Sequence, residues 1–310
     1  MSREIENTII VGMGALGLLF GQRIAQGKGA RHLCCLMDPE RKRRHASDRY
    51  TINGEEVSFR FITPQEISAP ADLIIIATKY SGLAAAREQI AGAVGPETTI
   101  VSLLNGISSE EFLAEKYPRG QILDCIAIGM DAVRDGTSLT YRNIGRWQIG
   151  SSVPGQEERL SLLARFLDDA GIPYEVCADI RRAMWNKFML NVGINQTCMV
   201  HETNYGGATA EGTAACDDMR AAMHEVIRLA SAEGIALTEQ DCENNIRLLR
   251  SLAPDLYPSM RGDALAGRPS EVELFAGTVI RLAERHHLAV PVNERYYRVI
   301  REMESAYAAE

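Results

Sequence analysis

The sequence predicts an α/β fold, with an N-terminal Rossmann dinucleotide-binding domain followed by an all-α C-terminal domain. A short β-branched run, Thr8–Val11, leads directly into a glycine-rich turn and then a helical pattern. Two further runs, Asp72–Thr78 and Thr99–Leu104, are apolar throughout, as expected of parallel strands covered on both faces. Beyond residue 178 the apolar residues recur at helical spacing, without a convincing strand pattern.

The composition indicates a globular protein and argues against several classes of function. The chain has 310 residues, 46% hydrophobic and 24% charged, which fits about two domains. A formal net charge of −8 argues against a general nucleic-acid-binding protein. Apolar runs fall short of the roughly 18 residues that a membrane-spanning helix needs, and Met1–Asn7 lacks signal-peptide features. Neither the 7 cysteines nor the 6 histidines show metal-ligand spacing, so we predict no metal site. The odd number of cysteines, without a pairing pattern, favours a reducing, cytoplasmic location.

The glycine-rich turn matches the pattern G-x-G-x-x-G of dinucleotide sites, through Gly12, Met13, Gly14, Ala15, Leu16 and Gly17. In this pattern the first glycine permits a tight turn, and the second lets a pyrophosphate approach the backbone. The third lets the helix pack closely on the strand. The free N–H groups and the dipole of the helix then face the phosphates. We therefore predict a dinucleotide site at this turn.

The second predicted strand, His32–Leu36, leaves the type of cofactor open. Asp38 follows it and can bond the ribose 2′-hydroxyl of NAD(H), but with Pro39 it also suits the start of a helix. The basic run Arg41–Arg44 can hold the 2′-phosphate of NADP(H), or it forms a solvated helix face. These residues alone do not choose between NAD and NADP.

Two polar residues follow the carboxyl ends of the apolar strands. Lys79 comes just after the first of them and Asn105 just after the second. Ligands of open α/β sheets bind outside the carboxyl ends of the strands. We expect both residues to line the cofactor cleft, the alternative being ordinary loop residues.

The other elements are predicted from alternation, turn residues and amphipathic spacing. In the first domain they are a hairpin over Tyr50–Val57 with an Asn-Gly turn, a strand over Gln121–Ile128, a hairpin joining Thr137–Tyr141 to Arg146–Gly150, a helix over Arg159–Ala170 and a strand over Pro173–Val176. We place the first domain at residues 1–178 and the second at 179–310. The second has helices predicted over Ala208–Glu233, Glu239–Leu252, Glu271–His287 and Glu294–Ala308, and a long loop over Ala253–Pro269.

A line of polar residues runs along an otherwise apolar helix, predicted over Ala183–Val200. Lys187, Asn191 and Asn195 are four residues apart and therefore share one face. Buried polar groups need partners, and lysine is almost never fully buried without one. The partner is either a small polar ligand or neighbouring backbone and water. Gly193 on the same helix is expected to allow close packing at the domain junction.

Taken in order, these residues resemble the ketopantoate reductase (2-dehydropantoate 2-reductase) family, over nearly the whole chain. The motifs that carry the resemblance are Gly12–Gly17, Thr78-Lys79, Leu104-Asn105-Gly106, Trp185-x-Lys187-x3-Asn191-x3-Asn195, Ser259-Met260, Gly267-Arg268-x2-Glu271 and Pro291-x-Asn293. The resemblance implies an active site in the cleft between the two domains. It also implies NADPH-dependent reduction of ketopantoate to pantoate, on the route to pantothenate and coenzyme A.

The resemblance further implies roles for individual residues. Lys187 matches the proton donor, and the substrate-binding positions are matched by Asn191, Asn195 and Ser259, to which we add Asn105. Positions that contact the cofactor are matched by Gly12–Gly17, Lys79, Asn105 and Glu271, and Ala132 matches a backbone contact to it. Glu271 has an alternative role as an acidic residue in the first turn of a helix. Two residues depart from the family pattern, since Asp38 stands where an arginine is often found and Gln196 where a proline is common.

Three hypotheses about function follow. The first is reduction of ketopantoate with NADP(H), in which a lysine ammonium gives a proton to the developing alkoxide. The second, which Asp38 keeps open, is an NADH-dependent D-2-hydroxyacid dehydrogenase acting on other branched 2-keto acids. The third is a nucleotide-sensing Rossmann protein without catalysis, which has no need of a buried proton donor such as Lys187. We expect a small 2-keto acid as the partner molecule, no nucleic acid or membrane, and by analogy a homodimer through the helical domain.

Overall fold

The computed structural model describes residues 3–307, which divide into two compact units. The first unit extends to Leu104 and resumes over Ser109–Ile180, and the second holds Asn105–Ser108 and continues from Arg181. The first is built on a mixed, mostly parallel sheet and the second is helical, which confirms the predicted fold class. The predicted domains, 1–178 and 179–310, differ from this division at residues 105–108 and at 179–180.

The first unit alternates strands with helices in the manner of a dinucleotide-binding fold. Its strands are β1 (Thr8–Val11), β2 (Leu33–Leu36), β3 (Tyr50–Ile52), β4 (Glu55–Val57), β5 (Phe61–Ile62), β6 (Leu73–Ile76), β7 (Thr99–Ser102), β8 (Ile122–Met130), β9 (Val133–Asp135), β10 (Ser138–Thr140), β11 (Ile144–Gly150) and β12 (Tyr174–Val176). Its helices are α1 (Ala15–Ile24), α2 (Pro39–Arg44), α3 (Leu83–Gln89), α4 (Ser109–Ala114) and α5 (Glu157–Asp169).

The main sheet has 8 strands in the order β12-β11-β8-β7-β6-β1-β2-β5. The strands from β8 to β5 run parallel, while β11 is antiparallel to β8 and β12 is parallel to β11. From β1 the chain proceeds to β2 on one side, and β6 later joins β1 on the other. Strand order therefore reverses at β1, and such a reversal opens a crevice outside the carboxyl ends of the strands.

Side chains on alternate positions of β1 pack into different cores on the two faces of the sheet. Ile10 joins a cluster with Phe20 of α1 and Phe166 of α5. Ile9 and Val11 join a separate cluster on the other face. Because β1 is buried on both faces, its continuous apolar run needs no polar residue, as the sequence indicated.

The predicted hairpin that joins Thr137–Tyr141 to Arg146–Gly150 is wrong. Strand β10 instead pairs with β9 and β3 in a separate 4-stranded sheet, and β11 pairs with β8 of the main sheet. The chain reverses earlier, at Gly136, whose φ is +56°. Gly145 also decides the pairing, because a Cβ at this position would lie 2.2 Å from the carbonyl oxygen of Ile128 in β8. The other predicted hairpin, β3–β4, is confirmed, with positive φ at both residues of its Asn-Gly turn.

The second unit is built from helices around one apolar core. They are α6 (Ile180–Val200), α7 (Tyr205–Thr209), α8 (Ala214–Ala232), α9 (Glu239–Arg250), α10 (Ser259–Leu265), α11 (Thr278–His286) and α12 (Pro291–Tyr307), and a π-helical turn over Glu273–Gly277 precedes α11. In the described part of the chain, every helix is too short or too polar to cross a membrane.

Two predictions for the second unit are corrected. The helix predicted over Ala208–Glu233 is interrupted at Gly212, whose φ is +75°. A new helix, α8, begins after Thr213, whose side chain caps it by accepting a hydrogen bond from the N–H of Cys216. The loop predicted over Ala253–Pro269 contains α10. The last residue of the helix predicted over Glu294–Ala308 lies outside the described residues.

Gly193 belongs to the interior of the second unit and not to the domain junction. A Cβ at this position would lie 2.5 Å from the terminal methyl carbon of Met223 on α8. Both residues are fully or almost fully enclosed in the helical core. The missing side chain therefore allows α6 and α8 to approach closely.

A buried acid in the first unit should make folding depend on pH. Glu110 of α4 is 4% exposed and accepts a hydrogen bond from the hydroxyl of Ser109 at 2.9 Å. Burial, and then the negative charge of Asp124, raise the pKa of Glu110 from 4.5 to about 8. The folded chain therefore keeps a proton that the unfolded chain loses near pH 4.5.

We predict that the free energy of unfolding falls as the pH rises from about 4.5 to 8 and levels off above that, because the folded state binds the extra proton. Glu110→Gln is neutral at every pH and removes this dependence. Its Tm should exceed that of the wild type at pH 8, with the difference shrinking towards pH 5. Glu111→Gln, on the exposed face of the same helix, is the control. A Tm difference that does not change with pH would contradict the assignment.

Candidate active site

The glycine-rich turn contains two glycines that the fold requires and one that it does not. A Cβ on Gly12, whose φ is +98°, would lie 2.6 Å from the carbonyl oxygen of Ala77 after β6. A Cβ on Gly17 would lie 1.9 Å from the carbonyl oxygen of Gly12. By contrast, a Cβ on Gly14 would meet only the Ala77 oxygen, at 3.9 Å. The fold leaves an open cradle at Gly14, which suits the close approach of a ligand to the backbone.

The N-terminus of α1 presents donors at this cradle. Gly14 is the residue that begins the helix, no side chain caps it, and its first turn contains no acidic residue. The N–H groups of the first turn have no carbonyl partner within their own helix. Together with the helix dipole they form a site suited to phosphate oxygens.

Arg134 of β9 brings a positive charge to the same turn. Its Nη1 donates to the carbonyl oxygen of Met13 at 2.5 Å, and its Nε donates to the carbonyl oxygen of Gly136 at 2.8 Å. The guanidinium is thereby held beside the glycine-rich turn by two backbone oxygens. The residues present therefore fit a dinucleotide, whose pyrophosphate is anionic. Arg134 was not foreseen from the sequence, because its 121-residue separation from Met13 leaves no local signal.

Asp38 starts α2, as one of its two predicted roles required. Its Oδ1 accepts a hydrogen bond from the N–H of Arg41 at 2.8 Å, and Pro39 is the first helical residue. Its Oδ2 accepts no hydrogen bond from residues 3–307. Capping alone thus accounts for an acid at this position, and one oxygen stays available for a ribose hydroxyl.

The basic run after Asp38 divides into paired and unpaired side chains. Lys42 donates to both carboxylate oxygens of Glu66, at 2.6 and 2.8 Å, and Arg44 faces Glu40 at 3.4 Å. Arg41 and Arg43 are exposed, and their guanidinium groups form neither a hydrogen bond nor an ion pair with any described residue. Two cations are therefore available for a phosphate at the end of β2.

The other cofactor candidates of the first unit lie at the same edge of the sheet. Lys79 follows β6, and its carbonyl oxygen accepts from the N–H of Gly82 at the start of a short 3₁₀ turn. Ala132 follows β8 and is half-buried against the core, two residues before Arg134. The bond from Arg134 to Met13 links the Ala132 segment to the glycine-rich turn.

In the second unit, three predicted residues meet through their side chains. The ammonium of Lys187 donates to Oδ1 of Asn105 at 3.1 Å, and Nδ2 of Asn105 donates to Oε2 of Glu271 at 3.2 Å. The Asn105 amide therefore accepts from a cation and donates to an anion, which fixes its orientation. Asn105 belongs to the second unit and not to the sheet that it follows in sequence.

The two asparagines of α6 continue the line from Lys187. Nδ2 of Asn195 lies 3.4 Å from Oδ1 of Asn191. Asn195 is 6% exposed, and its Oδ1 is buried without a hydrogen-bond partner among residues 3–307. A buried acceptor without a donor is costly. This atom is therefore a candidate acceptor for a ligand hydroxyl or N–H group, and the role of Asn195 in substrate binding stays a prediction.

Ser259 is not brought to this line by any hydrogen bond between described residues. It is the first residue of α10 and its side chain is exposed. The next residue, Met260, is 1% exposed and anchors α10 in the same core as Trp185 of α6. Its role in substrate binding stays a prediction.

One group of possible metal ligands occurs within residues 3–307, at His224, Glu239 and Cys242, whose ligand atoms lie within 4.8 Å of one another. Nε2 of His224 lies 2.7 Å from a carboxylate oxygen of Glu239. Burial raises the pKa of the Cys242 thiol to about 12, which opposes the thiolate that metals bind. We assign no metal to this group.

Comparison with known proteins places both units in one family. The family model described as ketopantoate reductase PanE/ApbA matches residues 8–153, and its C-terminal counterpart matches residues 179–304. The chain belongs to the ketopantoate reductase family. Ketopantoate reductases are pyridine-nucleotide-dependent oxidoreductases that act on CH–OH groups.

Individual relatives agree over the full chain at low identity. A 2-dehydropantoate 2-reductase of Halobacterium salinarum is 28% identical over 293 residues, which cover 92% of this chain and 94% of the relative. The structure of a D-mandelate dehydrogenase with NADH superposes with a TM-score of 0.86 at 21% identity, over 97% of this chain and 99% of that one. A dimeric ketopantoate reductase of Staphylococcus aureus gives 0.78 at 22%, also over 97% and 99%. These two structures support the fold alone.

We predict that Gly14→Ala weakens NADPH binding without loss of stability. The added methyl group enters the cradle where the phosphate would lie, and overpacking of this kind costs about 1–3 kcal/mol, or roughly 5- to 150-fold in Kd. Its Tm should stay at the wild-type value, because the new Cβ meets only one atom, at 3.9 Å.

Fluorescence titration with NADPH and thermal denaturation measure both effects. Gly120→Ala is the matched control, since a Cβ there has nothing within 4 Å. An unchanged Kd for Gly14→Ala would mean that the cofactor phosphates do not use this cradle.

Proposed function

We propose that the protein reduces 2-dehydropantoate (ketopantoate) to pantoate, with Lys187 as the proton donor. The observation that carries this proposal is the line on α6, where Lys187 is hydrogen-bonded to Asn105 and a buried acceptor of Asn195 lacks a partner. A 2-keto acid that also carries a hydroxyl group offers its carbonyl oxygen to the ammonium of Lys187. Its hydroxyl group can donate to Oδ1 of Asn195. Membership of the ketopantoate reductase family supports the same substrate.

The chemistry required of the residues is proton delivery and charge stabilisation. A nicotinamide, when bound, would supply the hydride for the keto carbon, and the carbonyl oxygen would then carry negative charge. The ammonium of Lys187 stabilises this charge and transfers one proton to the oxygen, which completes the alcohol. Lys187 then regains a proton from solvent. Oδ1 of Asn105 accepts from the ammonium and holds it in position. Nδ2 of Asn105 donates to the carboxylate of Glu271, which holds Asn105 in turn.

Asn195 provides a basis for substrate selection. Its buried Oδ1 can accept a hydrogen bond from the hydroxyl group of ketopantoate, whereas 2-ketoisovalerate has no such hydroxyl. A site built around a hydrogen bond discriminates strongly against analogues that leave the buried group unpaired. This feature favours ketopantoate over other branched 2-keto acids and over aromatic ones.

For the cofactor we propose NADPH, held by the glycine-rich turn at its pyrophosphate and by Arg41 and Arg43 at its 2′-phosphate. Both arginines lack an ion pair among the described residues, and Asp38 is already explained as the cap of α2. The free Oδ2 of Asp38 supports the second candidate, an NADH-dependent 2-hydroxyacid dehydrogenase. Lys79 and Ala132, at the same sheet edge, complete the proposed cofactor site.

We also propose a homodimer formed through the second unit. Large apolar side chains are exposed there, on and after α9, at Leu248, Leu252, Leu256, Tyr257 and Leu265. An exposed apolar group of this kind is typical of an interaction surface. A structural relative is itself dimeric.

Steady-state kinetics with ketopantoate, 2-ketoisovalerate and phenylpyruvate, each against NADPH and NADH, test the function. We expect kcat/KM to be highest for ketopantoate with NADPH, and roughly 5- to 150-fold lower for 2-ketoisovalerate, because one unpaired buried acceptor costs about 1–3 kcal/mol. In Asn195→Ala, the kcat/KM values for ketopantoate and 2-ketoisovalerate should become about equal.

Asn245→Ala serves as the control, because Asn245 is an equally buried asparagine bonded to Asn186. Equal efficiency with 2-ketoisovalerate and ketopantoate would contradict the role of Asn195. A preference for NADH and another 2-keto acid would favour the dehydrogenase. Absence of activity with all three acids would favour a nucleotide-binding sensor.

A further inference from the structure

The helix that follows Glu271 contains an irregular turn with one displaced backbone amide. The carbonyl oxygen of Glu271 accepts from the N–H of Phe275 at 3.2 Å, as in an α-helix. The carbonyl oxygen of Val272 accepts instead from Gly277, five residues ahead, at 3.0 Å. The N–H of Ala276 therefore loses its regular acceptor. Single π-helical turns of this kind often occur at functional sites.

The side chain of Gln196 on α6 accepts the hydrogen bond of the displaced backbone N–H group. Its Oε1 accepts from the N–H of Ala276 at 3.1 Å, and Gln196 is 0% exposed. Without this acceptor the Ala276 N–H would be a buried donor without a partner. The π-helical turn and the Gln196 side chain thus depend on each other.

The orientation of the Gln196 amide is itself fixed. Its Nε2 donates to the carbonyl oxygen of Val192 at 2.9 Å and to Oδ1 of Asn293 at 3.0 Å. Asn293 in turn donates to Oε2 of Glu225 at 2.7 Å, and this buried carboxylate also accepts from two N–H groups at the start of α12. Every amide hydrogen and the oxygen of Gln196 are used, so the side chain has one arrangement.

The π-helical turn contacts the proposed proton-donor group. Leu274 lies within the turn, and a Cβ on Gly106 would be 2.9 Å from its Cδ1. Gly106, with a φ of +89°, directly follows Asn105, the acceptor for Lys187. Glu271, which immediately precedes Val272, holds the other side of the Asn105 amide. A change in the turn would therefore move both supports of Asn105.

We propose that Gln196 is a positioning residue for the reaction. By holding the π-helical turn, it sets Leu274 against Gly106 and keeps Asn105 within hydrogen-bond reach of Lys187. Its effect on turnover rests on the proposed function, whereas its effect on the Asn105–Lys187 geometry does not.

The test compares Gln196→Met with Thr197→Val. Methionine keeps the length of the side chain but cannot accept from Ala276. Thr197 is the control, since it is equally buried on the same helix and its hydroxyl group is hydrogen-bonded to Tyr296 at 2.7 Å and not to the backbone of the π-helical turn. Q196M loses three buried hydrogen bonds and T197V loses one, so the Tm of both variants is measured to separate general destabilisation from the specific effect.

Two further measurements are made on each variant. In a crystal structure of Q196M we expect a regular α-helix at residues 273–277, and a Lys187 Nζ to Asn105 Oδ1 distance beyond about 4 Å, where the hydrogen bond is lost. We expect kcat with ketopantoate to fall roughly 10- to 100-fold, the scale of a misplacement by about 1 Å, with a shifted pH profile. T197V should keep the wild-type geometry, pH profile and kcat within about twofold.

If Q196M fails to fold, Gln196→Glu tests the positioning role instead. When protonated, the introduced carboxyl group can accept from Ala276 and donate to Asn293, but it loses the second ability when it ionises. The ratio of the kcat of Q196E to that of the wild type should therefore fall as the pH rises. A folded Q196M with unchanged geometry would overturn the proposal, and so would a Q196E whose carboxyl group titrates without changing this ratio. Changed geometry in Q196M with an inactive wild type would refute the proposed function but not the positioning role.

Discussion

The hydrogen bond between Lys187 and Asn105 is the interaction on which the second unit depends. Helix α6 is apolar over most of its surface, and a cation on such a helix must have polar partners. The short segment Asn105–Ser108 supplies one of them, and this explains why it belongs with the helices and not with the sheet that it follows. The positive φ of Gly106, the position of Glu271 and the π-helical turn all serve to place this one amide.

Two features of the candidate site are not explained by the packing of the fold. The cradle at Gly14 is open although its neighbours Gly12 and Gly17 are tightly enclosed, and Oδ1 of Asn195 is buried without a donor. The first lies beside free N–H groups and the cation of Arg134. The second lies on the Lys187 line. Under the proposed function, a nucleotide phosphate suits the first and a hydroxylated keto acid suits the second.

Local patterns in the sequence were sufficient to predict the fold class and most of the candidate residues. The glycine motif is recognisable because a strand and a helix flank it, and the line of Lys187, Asn191 and Asn195 follows from helical periodicity alone. The pairing of β10 and β11 was mispredicted because it is decided by contacts with β3 and β8, which are remote in sequence. The bond from Asn105 to Lys187 spans 82 residues, and that from Ala276 to Gln196 spans 80. Such contacts arise from tertiary packing and leave no periodic signal.

The most direct test of the account is the turnover of Lys187→Met with ketopantoate and NADPH. Loss of the proton donor should lower kcat by roughly 10²–10⁴, while the Kd for NADPH stays at its wild-type value. Lys28→Met is the matched control, because Lys28 is a partly buried lysine whose ion pair with Asp169 lies in the first unit. A loss of less than threefold in a folded Lys187→Met variant would contradict the central claim that this residue delivers the proton.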